Sequence, residues 1–171
     1  MLSLAHGLIA LLVASPLVTA KYLVDGTYRV SYSAAGCGVG TQHYLDISSP
    51  EAEATFKPVP MPEAQTWKVY THSGDPTWRL FDSDKHPDAT LGYPNTKQGT
   101  RVRGAVGEDG ITFNIIDTAV PDCYYVYPVS TNRNVALNGD TELREKHRFA
   151  YFRGPTPQYP LPIQPLKFIK V

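Results

Sequence analysis

The chain has 171 residues, 16 basic and 16 acidic side chains, and two cysteines. Its length suits one domain with a substantial core. A formal charge of zero with no basic run argues against nucleic acid or an anionic membrane as a partner.

Residues 1–20 read as a secretory signal. The apolar run at residues 8–14 is far shorter than the roughly 20 residues a membrane span needs. Val18, Thr19 and Ala20 are small, as a signal peptidase requires. The leader lacks Lys and Arg, which leaves an uncleaved anchor as the alternative. Cleavage would free a mature chain from Lys21, extracellular and without a later membrane span. In that oxidising setting Cys37 and Cys123 default to a disulfide.

The remainder reads as all-β. Fifteen prolines and 13 glycines cut it into short pieces rich in aromatic and β-branched residues. Strands are expected at 28–33, 44–48, 54–58 and 65–72, then at 77–82, 89–93, 100–105 and 111–117. A third group begins at 123–129 and 135–138. Ser73-Gly74-Asp75-Pro76, Glu108-Asp109-Gly110 and Asn138-Gly139-Asp140 are turn formers, since Gly and Asn tolerate positive φ. The best helix candidate, residues 50–54, is too short to hold without packing.

Large side chains recur at steps of about eleven residues, as an internal repeat would place them. Tyr28, Leu45, Phe56 and Trp67 anchor one unit, and Trp78, Leu91, Val102 and Phe113 a second. Tyr124 and Leu137 open a third. Four strands in each of three units predict a β-trefoil of twelve short strands: a six-stranded barrel capped by three hairpins. A Greek-key sandwich, with similar strand spacing, is the alternative. The chain end has two readings. In the favoured one, 148–153 is the last strand, the trefoil covers 21–154, and the Pro-rich residues 155–171 form an extension packed on it. In the other, 166–171 is the twelfth strand, because Gln164-Pro165-Leu166-Lys167-Phe168 echoes Gln65-Thr66-Trp67-Lys68-Val69.

Asp25-Gly26-Thr27-Tyr28-Arg29-Val30, Gly38-Val39-Gly40 and Gln65-Thr66-Trp67-Lys68-Val69, in that order, resemble the mycocypins, fungal β-trefoil inhibitors of proteases. The likeness is densest from Asp25 to Phe81. It implies an inhibitor of papain-like cysteine proteases that does no chemistry of its own and needs no cofactor or metal. Two loops of the first unit would fill the protease cleft. By resemblance they are Gly36, Gly38, Val39 and Gly40, around Cys37, and Val59, Pro60, Met61, Pro62 and Glu63. The chemistry is coherent: glycines let backbone enter a narrow cleft, prolines lower the ordering cost, and Met61 is an adaptable apolar contact. The secretion signal and the cysteine pair depart from that family. The loop at 83–88 lacks the asparagine through which its members inhibit legumain-type proteases.

Gln65-Thr66-Trp67 also resembles the Gln-x-Trp motif of ricin-B lectins. That likeness implies a glycan partner held by Asp46, Phe56 and Gln65. A third possibility is a secreted effector or interaction protein that kept the scaffold alone. Pro165-Leu166-Lys167-Phe168 faintly resembles the end of the Kunitz inhibitors. No catalytic constellation stands out. Cys37 with His43 as nucleophile and base is outweighed by the disulfide reading, and the histidines show no metal-ligand spacing.

Overall fold

A computed structural model of the chain describes residues 22–107, 111–129, 135–139, 148–154 and 163–171. Twelve strands follow one another: β1 (Gly26–Tyr32), β2 (His43–Asp46), β3 (Thr55–Lys57), β4 (Trp67–His72), β5 (Asp75–Ser83) and β6 (Ala89–Gly92). Then come β7 (Arg103–Val106), β8 (Phe113–Asp117), β9 (Cys123–Pro128), β10 (Ala136–Gly139), β11 (Arg148–Arg153) and β12 (Leu166–Lys170).

The antiparallel pairings close a ring. β1 pairs with β4, β4 with β5, β5 with β8, β8 with β9, β9 with β12, and β12 returns to β1. These six strands are the barrel, and closure removes their exposed edges. The pairs β2–β3, β6–β7 and β10–β11 form the three capping hairpins. The fold is therefore a β-trefoil.

Its pseudo-threefold axis is marked by backbone hydrogen bonds. Ala54 N–H donates to the Val102 carbonyl at 2.8 Å, Val102 to Ala150 at 2.9 Å, and Ala150 back to Ala54 at 2.9 Å. One residue from each hairpin thus satisfies the next in a closed cycle, and all three are fully buried. Alternating strand residues fill the barrel between axis and wall: Val30, Phe56, Trp67, Phe81, Leu91, Phe113, Phe152 and Leu166 have no exposed surface.

Three expectations need correction. The chain end is a barrel strand: β12 pairs Phe168 with Val30 and Leu166 with Tyr124, so residues 166–170 are no extension. Without them β1 and β9 would each carry a bare edge. The core anchor of β5 is Phe81, which is fully buried, whereas Trp78 is half-buried opposite Asn114. Residues 50–54 hold no helix, in keeping with their shortness: 50 and 51 form a turn, and Glu53 makes a β-bridge with Arg103. Asn138 and Gly139 belong to β10, where the ring of Tyr32 lies so close to Gly139 that a Cβ would stand 2.6 Å from it. The turn at Ser73-Gly74 is found, with φ of 53° and 75°. The expected signal at 1–20, the turn at 108–110 and residues 155–162 of the Pro-rich segment lie outside the described residues.

Candidate functional site

The two loops singled out in the first unit leave the same end of their strands. Ser31 faces Tyr44 across β1–β2, and Tyr44 faces Lys57 across β2–β3. The end of β1, the start of β2 and the end of β3 therefore lie side by side. The β1–β2 and β3–β4 loops rise from that edge.

The β1–β2 loop is held from within and from outside. Gly36, Gly38 and Gly40 have φ of 118°, 73° and 68°, values that favour glycine. Val39 N–H donates to the Gly36 carbonyl at 3.1 Å. The Val39 carbonyl accepts from the Ser33 hydroxyl and from Gln42 Nε2. Cys37 is joined to Cys123, with Cα atoms 6.1 Å apart, which ties the loop to the start of β9. No free thiol remains on the chain, so a Cys37 nucleophile is excluded. Gly38 packs on Lys167 of β12; an added Cβ would lie 3.2 Å from its Nζ.

The β3–β4 loop carries a single 3-10 turn, Met61–Glu63, entered through Pro60. Glu63 N–H donates to the Pro60 carbonyl at 2.9 Å, and Ala64 N–H to Met61 at 3.2 Å. Buried Ala64 roots the turn, while Pro60, Met61, Pro62 and Glu63 are exposed and Val59 is half-buried. Val39 at 58% and Met61 at 45% exposure are the apolar tips of the two loops.

Beside the β3–β4 loop lies an open cleft of about 480 Å³. Met61 and Val24 form part of its rim, Tyr28, Tyr124 and Phe168 its aromatic floor, and Lys167 its wall. Lys167 touches both this cleft and Gly38, so it joins the two loop systems. It escaped the sequence reading because it sits on β12. The echo of Trp67-Lys68-Val69 in Leu166-Lys167-Phe168 was the available signal.

The sugar-binding set is placed differently. Gln65 is buried; its Oε1 accepts from Ile47 N–H at 2.9 Å and its Nε2 donates to Ser83 Oγ at 2.8 Å. Trp67 Nε1 donates to the Leu45 carbonyl at 3.1 Å. The Gln-x-Trp motif thus stitches β4 to β2 and β5. Phe56 lies wholly in the core against Tyr32. Asp46 is ion-paired with Lys57, and with Lys85 at 3.3 Å. Asp46, Phe56 and Gln65 are neighbours, but Phe56 offers no exposed face and the Gln65 amide is already bonded.

Beside the loop base, burial first and then the charge of Arg148 hold the His43 imidazole below its ordinary pKa. Burial raises that of the Tyr32 phenol, against the opposing pull of Arg148.

No family model and no curated protein matches the chain. Among solved structures, the Rhizoctonia solani agglutinin is similar with a TM-score of 0.66 at 14% identity, covering 90% of this chain and 100% of its own. A mosquitocidal holotoxin is similar with a TM-score of 0.62 at 12% identity, over 87% of this chain and 18% of the toxin. The designed three-fold symmetric protein ThreeFoil gives 0.57 at 17% identity, over 86% of this chain and 100% of its own. At such identities the likeness is one of fold, and it agrees with the β-trefoil read from the strand pairings.

Proposed function

We propose that the chain is a secreted inhibitor of papain-like cysteine proteases, acting as a reversible plug. The observation that carries this reading is the pairing of two stiffened loops at one edge, with Val39 and Met61 exposed at their tips. The glycine-rich loop presents backbone, and the Pro60–Pro62 segment presents a pre-ordered apolar contact; both lower the entropy lost on docking. Resemblance to the mycocypins points the same way, on motifs alone. The disulfide supports an oxidising, extracellular setting.

The test is titration of papain with the mature protein. Tight, stoichiometric inhibition is expected. It should weaken at least about a hundredfold in Gly38→Val, where both the left-handed φ and the Lys167 contact oppose a side chain. Papain left fully active by the wild type would reject the proposal.

A glycan-binding function is the second reading, favoured by the structural likeness to an agglutinin. In the first unit it would require Asp46 to exchange two lysines for a sugar. Glycan-array binding abolished by Asp46→Ala, without protease inhibition, would select it.

A further inference from the structure

The last barrel strand is paired along only part of one edge. β12 pairs with β1 from Lys167 to Lys170, but with β9 only at Leu166 and Lys167. In an antiparallel ladder alternate residues turn both backbone polar groups to the same edge. Val171 N–H donates to the Thr27 carbonyl, so residues 167, 169 and 171 bond toward β1. Residues 166, 168 and 170 therefore face the β9 side, where Phe168 N–H donates to the Asp122 carbonyl at 2.8 Å. Asp122 has φ of 61°, a left-handed conformation that interrupts the extended path and stops the ladder at that point. One step further along, no backbone carbonyl among the described residues takes the Lys170 N–H.

That bare edge opens into the cleft, whose lining includes Phe168, Ile169 and Lys170. On the cleft floor Tyr28 and Tyr124 meet the Phe168 ring edge-on, with centroids 6.0 and 5.4 Å away, which leaves a rigid aromatic surface. Lys167 and Lys170 line the cleft without an ion pair among the described residues, against the single carboxylate of Asp122. The cleft thus offers main-chain hydrogen bonding, apolar contact and a surplus of positive charge side by side. The two lysines deter a second copy of the same edge, which would bring like charges together, and favour a segment with acidic side chains.

We propose that the open edge of β12 takes an extended, acidic peptide segment of a partner protein, added as a short strand beside residues 168–170. Phe168 and Lys170 are two apart and share a face of the strand, opposite Val30 and Tyr28 of β1. The segment therefore carries an apolar side chain opposite Phe168 and an acidic one opposite Lys170, two positions apart. Its main chain accepts the Lys170 N–H. The site needs no protease and stands whether or not the first-unit loops inhibit one.

The test uses the mature full chain and a fluorescein-labelled peptide, Ser-Glu-Thr-Val-Thr-Glu-Ser, which presents the same pattern in either direction. Fluorescence anisotropy should show saturable binding, and the peptide with Lys in place of Glu should bind at least about tenfold more weakly. Lys170→Pro removes the N–H that faces the cleft and leaves every bond to β1 in place, so the strand tolerates it. It should weaken binding about tenfold, the loss of one hydrogen bond, and further than Lys170→Gln, which keeps the N–H and loses only the charge. Near-UV circular dichroism establishes that each variant is folded. If Lys170→Pro does not fold, the same peptide N-methylated along its backbone carries the test on the wild type, with the same tenfold loss expected. An acidic peptide that does not bind, or that binds as well when the donor or the peptide backbone is blocked, overturns the proposal. A dimer in light scattering that the peptide does not dissolve gives the edge to a second copy and overturns it too.

Discussion

Two glycines in strands and turns separate two kinds of backbone demand. Gly104 in β7 lies against the hairpin of the first unit, where a Cβ would meet the Pro50 carbonyl oxygen at 2.0 Å. That neighbour is backbone and cannot rotate aside. Gly74 has φ of 75° and open space around it, so a side chain there meets only the left-handed strain of roughly 1–2 kcal/mol. Gly74→Ala should lower stability by about that amount in urea unfolding, whereas Gly104→Ala should prevent recovery of folded protein. Equal effects would show that the cap is softer than its packing implies. His43 makes a prediction in pH. Its folded pKa lies below the unfolded value of about 6.5, so the unfolded chain binds the proton more readily. Stability from neutral His43 is full above about pH 6.5 and drains away as pH falls below it. Urea midpoints at pH 7.5 and 5 should differ less in His43→Gln than in the wild type.

At the scale of elements, the sequence was legible where a segment's job is local. The cysteine pair, the Ser73-Gly74 turn and most strands followed from turn chemistry and from β-branched and aromatic runs. Gln65 and Trp67 were visible as a motif. Their work, bonding Ile47, Ser83 and Leu45, depends on strands far along the chain and was not visible. β12 was misread for a similar reason. The prolines that precede it suggest a surface path, but its partners β1 and β9 lie at great sequence distance and appear only once the barrel closes. The β1–β2 loop depends on one such remote tie. The Cys37–Cys123 bond spans 86 residues, and closing a loop of that size stabilises a fold by about 4 kcal/mol in the chain-entropy model. Cys37→Ser with Cys123→Ser should therefore lower unfolding free energy by up to that amount. Under the inhibitor reading it should also weaken papain inhibition by at least about tenfold, since the loop loses its anchor to β9. A stable double variant that inhibits as well as the wild type would show that the glycine loop is held by its internal hydrogen bonds alone.

The whole molecule is organised by closure rather than by chain order. The cycle through Ala54, Val102 and Ala150 joins three hairpins, and the barrel joins β12 back to β1. Val171 N–H donates to the Thr27 carbonyl at 3.0 Å, so the described carboxyl end lies beside the start of β1. Repetition made this architecture readable: the anchors recur in register, and only Trp78 was misplaced. Such a topology defers part of its reward, because β1 and β12 pair with each other only when the whole chain has collapsed. It also makes the starting point of the chain arbitrary in the folded state. A circular permutant that joins Val171 to Tyr22 through a short Gly-Ser linker and opens between Ser73 and Gly74 breaks a two-residue turn and no strand pairing. It should give a native circular dichroism spectrum and a Tm within about 10 °C of the wild type, a loss of the order of 1–2 kcal/mol. Because both first-unit loops and their disulfide stay intact, it should also inhibit papain as the wild type does if those loops act as proposed. A permutant opened within β11, between Ala150 and Tyr151, cuts the axial cycle and should fail to fold. If both permutants fold equally well, the cycle at the axis is dispensable and the barrel alone holds the three units together.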